Sequence, residues 1–179
     1  MYTRKIYLDK IRPFLGKPVI KVITGMRRVG KSCLLRQVIN LLKDEGIASE
    51  RILRIDKESL DFEHIKTYGD LNREVLAAFS GQEAPCYLIV DEVQEIEEWE
   101  RAIISLAARG DIDILISGSN AHLLSSELAT LISGRYIEIP VYSLGFAEHL
   151  QFSEQDLTHR QNEFTNFLRM GGMRSESVV

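Results

Sequence analysis

The stretch that decides the fold is Val19-Ile20-Lys21-Val22-Ile23-Thr24-Gly25-Met26-Arg27-Arg28-Val29-Gly30-Lys31-Ser32. Its first six residues are mostly β-branched and almost continuously apolar, which is typical of a strand buried on both faces in a parallel sheet. From residue 31 to residue 45 the apolar residues recur at helical spacing, and Gly46 is the predicted cap of that helix. The sequence therefore predicts a strand, a glycine loop and a helix in direct succession.

The glycine loop fits the P-loop pattern Gly-x4-Gly-Lys-Ser at every specified position. Glycines let main-chain N–H groups turn inward around phosphate oxygens, and the helix that follows adds its positive amino end. Lys31 is expected on the β- and γ-phosphates, and Ser32 offers a hydroxyl to Mg²⁺. The predicted nucleotide-binding residues are Gly25, Arg27, Arg28, Val29, Gly30, Lys31, Ser32 and Cys33. This pattern predicts that the chain binds ATP with Mg²⁺; the alternative is a turn without a ligand.

The alternation of strand and helix continues along the chain. Strands are predicted at 51–56, 86–90, 112–117 and 136–141, and helices at 3–15, 70–79, from 97 to 110, and at 121–132. Five strands separated by helices predict an α/β fold, a three-layer doubly wound parallel sheet that binds its ligand at the carboxyl ends of the strands.

Two carboxylates, Asp91 and Glu92, follow the apolar run Tyr87-Leu88-Ile89-Val90 at the predicted end of the third strand. This arrangement resembles a Walker B motif, in which Asp91 holds Mg²⁺ and Glu92 orients or deprotonates the attacking water. In the alternative interpretation the two residues only begin a solvated acidic segment, since residues 91–100 contain six acids. Together with the P-loop, the pair favours hydrolysis over passive binding.

The fourth predicted strand ends in Ser117-Gly118-Ser119-Asn120, whose side chains can hydrogen-bond a γ-phosphate or the attacking water. Alternatively, Ser119 or Asn120 caps the helix that follows. Arg135, just before the fifth strand, is a candidate arginine finger within the chain or on a neighbour, or an ordinary surface arginine. The candidate catalytic residues are Lys31, Glu92, Asn120 and Arg135, and the candidate metal ligands are Ser32 and Asp91.

Composition excludes several classes of protein. The net charge of −4 argues against a nucleic-acid coat protein, and Cys33 and Cys86 have no partners at the spacing of a zinc site. No apolar stretch approaches the ~20 residues of a membrane span, so a cytoplasmic location is expected. Residues 1–28 contain eight Lys or Arg and one Asp. The basic residues from Arg4 to Lys17 are interpreted as a solvated helix face, whereas Arg27 and Arg28 either contact phosphate or ribose, or point to solvent.

These motifs resemble those of the AAA+-like branch of P-loop ATPases, and more narrowly a widespread prokaryotic family of uncharacterised AAA-type ATPases. The resemblance rests on the P-loop, Asp91-Glu92-Val93-Gln94, Ser117-Gly118-Ser119-Asn120 and Gly134-Arg135-Tyr136. Leu144-Gly145-Phe146-Ala147-Glu148 is similar to the segment after the fifth strand, with Gly145 where Ser is usual and Ser143 where Pro is usual. The resemblance covers residues 1 to about 173 and implies the strand order 5-1-4-3-2.

Members of that family are about twice as long, so the resemblance also implies a truncated chain or an isolated N-terminal part. Residues 1–150 are expected to form the ATPase core, with 1–16 as an N-terminal helix, and residues 151–179 a helical start of a C-terminal region. Homo-oligomers, and a nucleic acid or an effector protein reached through the missing region, are the partners to test; no membrane partner is expected.

Five functions are considered at this point. The leading hypothesis is a Mg²⁺-dependent ATPase, and the second is a nucleotide-binding regulatory module with little turnover. A GTPase or small-molecule kinase is disfavoured, because the sequence has no Asn-Lys-x-Asp motif and Asp91-Glu92 forms an acidic pair on the third strand. An ATP-driven DNA-associated motor component has weak support from the basic N-terminal residues.

Overall fold

The computed structural model describes residues 3–119, 135–146, 148, 150, 164–165 and 167–168. Five strands form one sheet: β1 (Ile20–Thr24), β2 (Ile52–Asp56), β3 (Cys86–Asp91), β4 (Ile112–Gly118) and β5 (Tyr136–Pro140). The longer helices within the described residues are α1 (Lys5–Ile11), α2 (Lys31–Asp44), α3 (Tyr68–Ala78) and α4 (Trp99–Arg109). The five predicted strands are confirmed, each with one end shifted by a single residue. The helix predicted at 121–132 lies outside the described residues.

All strand pairs are parallel, and the order across the sheet is β2-β3-β4-β1-β5. Read from the other edge, this is the predicted order 5-1-4-3-2. Because the strands are parallel, their carboxyl ends share one edge, where Thr24 pairs with Gly118 and Asp56 pairs with Asp91. The sheet thus brings the P-loop and the predicted acids together, although they are about sixty residues apart in sequence.

Helices cover both faces of the sheet, so the fold has three layers as predicted. One apolar core contains α3 and α4 residues packed on residues of the first face, including Val22, Leu88 and Ile116. The other contains α1 and α2 residues packed on the opposite face, including Ile23 and Leu115. Burial on both faces explains why the central strands have so few polar residues.

The N-terminal helix is shorter than the predicted 1–16 or 3–15. The α-helix α1 ends at Ile11, and Arg12–Phe14 continue as a 3-10 turn. Pro13 explains the change, since it has no N–H to donate and its ring crowds the preceding turn. Tyr7 and Ile11 are the buried residues of α1 and pack it against the α2 side of the sheet.

Capping residues set several of the helix ends. The side chain of Thr67 caps α3 by accepting from Asp70 N, and Asp70 Oδ2 accepts from Thr67 N at 2.9 Å, which forms a capping box. The helix predicted from residue 97 begins instead at Trp99, because Glu97 forms a bridge with Thr67. Gly46 and Gly110 have left-handed backbone angles after α2 and α4, as the sequence predicted.

A buried ion pair lies near the amino end of the sheet. Lys21 Nζ donates to Asp113 Oδ1, and both side chains are at most 2% exposed. Gly16 N donates to the other carboxylate oxygen at 2.5 Å. Burial lowers the pKa of Lys21 and raises that of Asp113, against the opposing effect of each partner's charge. No local feature of the sequence indicates that Lys21, in an otherwise apolar strand, is buried with a partner.

Within the part of the chain that the structure describes, no helix is long and apolar enough to cross a membrane.

Candidate functional site

The candidate site begins where β1 passes into α2. Gly30 is the N-cap of α2 and has a left-handed backbone, with φ of 93°, a conformation that glycine adopts without steric cost. A Cβ on Gly25 would lie 2.4 Å from the carbonyl oxygen of Val141, the residue that follows β5. The loop therefore needs glycine at its start because another backbone segment lies against it, and at its end because of the turn into the helix.

Lys31 points into the loop and is almost fully buried. Its Nζ lies 3.1 Å from Gly25 O, 3.3 Å from Met26 O and 3.1 Å from Glu92 Oε1. The two carbonyls and the carboxylate hold the ammonium group at the centre of the loop. A phosphate oxygen entering the loop can take over the ion pair that Lys31 now makes with Glu92.

Asp91 ends β3 in an almost fully buried position, 1% exposed. Ser117, at the end of neighbouring β4, donates its hydroxyl to Asp91 Oδ1 and accepts from Glu92 N at 3.3 Å. The Ser117 side chain thus orients the carboxylate of Asp91 and fixes the backbone of the next residue. The sequence placed Ser117 in a polar strand end but predicted a contact with phosphate or water, not this contact with Asp91.

Glu92 follows Asp91 in a left-handed conformation, with φ of 53° and ψ of 53°. Such angles are costly for a residue with a Cβ and are typical of functional sites. They turn the side chain toward the P-loop, where Oε1 meets Lys31 and Oε2 accepts from Gln94 Nε2 at 2.6 Å. The structure therefore places Glu92 against Lys31. It also shows that Gln94 donates to Glu92, a contact that the sequence motif did not predict.

A divalent cation fits the polar atoms beside Asp91. Asp91 Oδ2 is buried and has no hydrogen-bond partner, and the nearest cation is Arg54 on β2, with Nη2 at 3.7 Å. Arg54 Nη2 lies closer to Asp56 Oδ2, at 2.7 Å, while Arg54 Nε is also buried without a partner. Among the described residues, no group of three or more His, Cys, Asp or Glu side chains is placed so that it could hold a metal ion by itself. Mg²⁺ needs no such group, since it keeps several waters and shares phosphate oxygens.

The other predicted nucleotide-binding residues lie on the loop and the first turn of α2. Ser32 and Cys33 are half-buried there, next to Lys31. Val29 is buried, whereas Arg27 and Arg28 are exposed, and Arg28 has a left-handed backbone with φ of 66°. The side chains of both arginines are free to meet the polar part of a nucleotide or to stay in solvent, so both alternatives remain.

Arg135 does not reach this site within one copy of the chain. Its carbonyl accepts from Ile20 N at the amino end of β1. Arg135 precedes Pro140 by five residues, and Pro140 pairs with Thr24 beside the P-loop. Five steps along a strand span about 16 Å. Arg135 thus lies at the amino ends of the strands, whereas the P-loop lies at their carboxyl ends. Its action on a neighbour stays a prediction. Asn120 lies outside the described residues.

Arg4 contradicts its interpretation as part of a solvated helix face. It is 4% exposed and donates from Nη1 to the carbonyl of Val29 in the P-loop, at 3.0 Å. The physical reason is its partner Glu148, which neutralises the buried guanidinium with Oε1 at 3.1 Å from Nε. Neither the charge pattern nor the helical spacing of residues 3–15 could reveal an acid more than 140 residues away. Lys5, Lys10, Arg12 and Lys17 are exposed, as expected.

Known proteins are similar in sequence to this chain over most of its length. The family model described as an AAA domain matches residues 17–150. An uncharacterised protein of Haemophilus influenzae is 38% identical over 98% of this chain, and one of Methanocaldococcus jannaschii is 32% identical over 89%. The chain spans only 44% and 36% of the length of these two relatives.

Solved structures share the fold at low sequence identity. The Aeropyrum pernix ORC1 protein in complex with DNA gives a TM-score of 0.58 at 11% identity, covering 91% of this chain and 50% of that one. The Saccharomyces cerevisiae Hsp104–ADP complex gives 0.66 at 15% identity, covering 86% and 24%. The P-loop geometry, the strand order and the match of the family model agree, and the chain belongs to the AAA domain family.

Proposed function

We propose that this chain binds ATP with Mg²⁺ and hydrolyses it to ADP and phosphate. The observation that carries the proposal is the contact of Lys31, from the P-loop, with Glu92, which follows β3. Beside it, the buried Asp91 has a carboxylate oxygen without a hydrogen-bond partner. A phosphate-binding cation, a metal-binding carboxylate and a second carboxylate are the groups that phosphoryl transfer to water requires.

Each residue has a distinct role in this proposal. The N–H groups of the loop and the amino end of α2 bind the phosphate oxygens, and Lys31 neutralises their charge. Ser32 and Asp91 would hold Mg²⁺, which when bound neutralises charge on the β- and γ-phosphates. Glu92 orients the attacking water and accepts its proton on a carboxylate oxygen, while Ser117 keeps Asp91 in place. The γ-phosphoryl group leaves ADP and joins the water oxygen.

Phosphate release with and without Mg²⁺ tests the proposal. Replacing Lys31→Ala should remove Mg²⁺-dependent release, because no other side chain of the described loop carries a buried cation. Lys43→Ala, in the last turn of the same helix and away from the P-loop, is a matched control that should leave the rate unchanged. Background release by the unmutated chain, or an equal rate in Lys31→Ala, would contradict the proposal.

One observation favours a second candidate, a nucleotide-binding module with little turnover. Both oxygens of Glu92 already have a partner, one in Lys31 and one in Gln94, and these partners compete with water for the carboxylate. If nucleotide fails to release them, ATP binds without being hydrolysed. Tight binding of ATP together with phosphate release at background over many hours would favour this candidate.

The partners predicted from sequence remain proposals. Two of the eight basic residues at the N-terminus, Arg4 and Lys21, are buried in ion pairs and cannot attract DNA. Support for a DNA-associated motor is weaker for that reason. A gain in ATPase rate on adding DNA, lost at high salt, would be the result that restores it. A finger role for Arg135 requires a homo-oligomer, because within one copy it lies far from the P-loop.

A further inference from the structure

Arg4 connects the P-loop with the segment that follows β5. This post-β5 segment comprises residues 141–148, of which 141–146 and Glu148 are described. The main-chain N of Arg4 donates to Gln37 Oε1 on α2 at 3.0 Å, which fixes the residue beside the amino end of α1. Its guanidinium then extends between the loop and the post-β5 segment. Five N–H donors in one plane let a single arginine bind both sides.

On the P-loop side, Nη1 donates to the carbonyl oxygen of Val29 at 3.0 Å, in a buried position. The carbonyl of Val29 and the N–H of Gly30 belong to one planar trans peptide, so they point in opposite directions. Holding the carbonyl toward Arg4 therefore holds the Gly30 N–H away from Arg4. Gly30 is the N-cap residue of α2, where phosphate is expected to bind.

On the other side, the guanidinium binds the post-β5 segment through a fork of hydrogen bonds. Nε and Nη2 each donate to one oxygen of Glu148 at 3.1 Å, and Nη2 also donates to Tyr142 O at 3.0 Å. Glu148 Oε2 in turn accepts from Gly145 N at 3.0 Å. A bidentate pair of this kind fixes direction as well as distance, which the single ammonium of lysine cannot do.

Helix α1 supplies a second link in the same place. The guanidinium of Arg4 lies 4.4 Å from the centre of the Tyr7 ring, and the Tyr7 hydroxyl accepts from Tyr142 N at 3.1 Å. Val141 N donates to Thr24 O at 2.7 Å, directly before the loop begins. The post-β5 segment therefore lies against the loop's first residue and is joined to its last residues through Arg4.

We propose that Arg4 is a positioning residue that couples nucleotide binding at the P-loop to the conformation of the post-β5 segment. This inference rests on the proposed binding of ATP. Phosphate binding draws the Gly30 N–H to the anion and so orients the peptide that joins Val29 to Gly30. Because this peptide and the guanidinium are both rigid planes, the orientation of the Val29 carbonyl fixes Arg4, and Arg4 in turn fixes Glu148. Coupling is reciprocal, so a chain that has lost the Arg4–Glu148 contact must also bind nucleotide more weakly.

Hydrogen exchange of the peptide covering residues 141–148, measured with and without adenylyl imidodiphosphate and Mg²⁺, tests the coupling. Arg4→Lys keeps the charge but not the fork, and Glu148→Gln keeps the shape but not the charge. The matched control is Arg12→Lys, which alters an exposed pair with Glu45 at 3.4 Å. The affinity of each variant for the analogue is measured by titration calorimetry.

In the unmutated chain and in Arg12→Lys, the analogue should slow exchange at 141–148. In Arg4→Lys and Glu148→Gln this effect should disappear, and affinity should fall roughly tenfold, within the range of about 5- to 150-fold typical of coupled sites. The double variant should bind no more weakly than the worse single variant, because the two residues act as one unit.

Two results would overturn the coupling while leaving ATP binding intact. One is binding to the unmutated chain with no change of exchange at 141–148. The other is a Glu148→Gln variant that keeps both the analogue-dependent change of exchange and the original affinity. If Arg4→Lys does not fold, this milder variant alone tests the coupling. Failure of the unmutated chain to bind the analogue would overturn the proposed function and the coupling together.

Discussion

Replacing Asp113→Asn should strongly destabilise the fold, because it leaves Lys21 charged and without its partner at a site that water does not reach. Side-chain exposure is 0% for Lys21 and 2% for Asp113. Removing one member of such a pair typically costs about 3–5 kcal/mol. A domain of this size loses about 2–4 °C of melting temperature per kcal/mol, so the expected fall is roughly 6–20 °C.

The double variant Lys21→Met, Asp113→Leu should recover most of that loss, since it removes both buried charges and replaces them with apolar side chains of similar length and branching. Gly16, whose N–H also donates to Asp113, is exposed and can bind water instead. We expect the double variant to lie within about 1 kcal/mol of the original chain. The assay is urea unfolding followed by circular dichroism, with thermal unfolding as a second measure.

The pH dependence of Asp113→Asn provides a further check. Burial already lowers the pKa of Lys21, and Asp113 opposes that effect, so the substitution must lower this pKa further. A lysine whose pKa is lower in the folded state gains stability as pH rises from that value toward its ordinary 10.5. The loss in free energy of unfolding of Asp113→Asn, relative to the original chain, should be smaller at pH 9.5 than at pH 7. A deficit below about 1 kcal/mol at pH 7, or a double variant as unstable as the single one, would refute the reasoning.

Three other substitutions test particular contacts. Ser117→Ala removes the hydroxyl that orients Asp91, and it should raise the Mg²⁺ concentration needed for half-maximal ATP binding roughly tenfold, by about 1.4 kcal/mol. Gly25→Ala places a Cβ 2.4 Å from Val141 O, so calorimetry should detect no ATP binding, whereas Gly69→Ala in α3, where a Cβ meets nothing closer than 3.7 Å, should bind normally. Asp70→Asn tests the capping box of α3. Hydrogen bonds to the Asp70 carboxylate, above all from the Thr67 side chain, lower the pKa of Asp70 below its ordinary 3.8. The contribution of Asp70 to the free energy of unfolding should therefore persist above pH 3.8 and vanish as the pH falls through the pKa of the folded state.

The sequence predicted the parts of the fold that local patterns encode. The apolar run from Val19 to Thr24 predicted β1, and the glycine spacing predicted the turn into α2, because both depend on neighbouring residues alone. Asp91 and Glu92 were predicted at the end of β3 for the same reason. The order of the strands came from the family resemblance and not from these patterns.

Contacts between distant segments could not be predicted in this way. Arg4 forms an ion pair with Glu148, and Lys21 forms one with Asp113, across separations of 144 and 92 residues. A basic residue on a helix or strand is usually solvated, so its local sequence gives the wrong expectation when a distant acid neutralises it. Ser117 was recognised as polar at the right strand end, yet its partner depends on how β3 and β4 lie side by side.

The central claim is that Glu92 takes part in hydrolysis at a site that binds ATP through Lys31. The most direct measurement is the rate of phosphate release at saturating ATP and Mg²⁺ for the unmutated chain and for Glu92→Gln, with ATP affinity measured in parallel. We predict Mg²⁺-dependent release that falls about 10²–10⁴-fold in Glu92→Gln, while affinity is kept or rises because Lys31 loses a competing carboxylate. Release by Glu92→Gln at the original rate would contradict the claim.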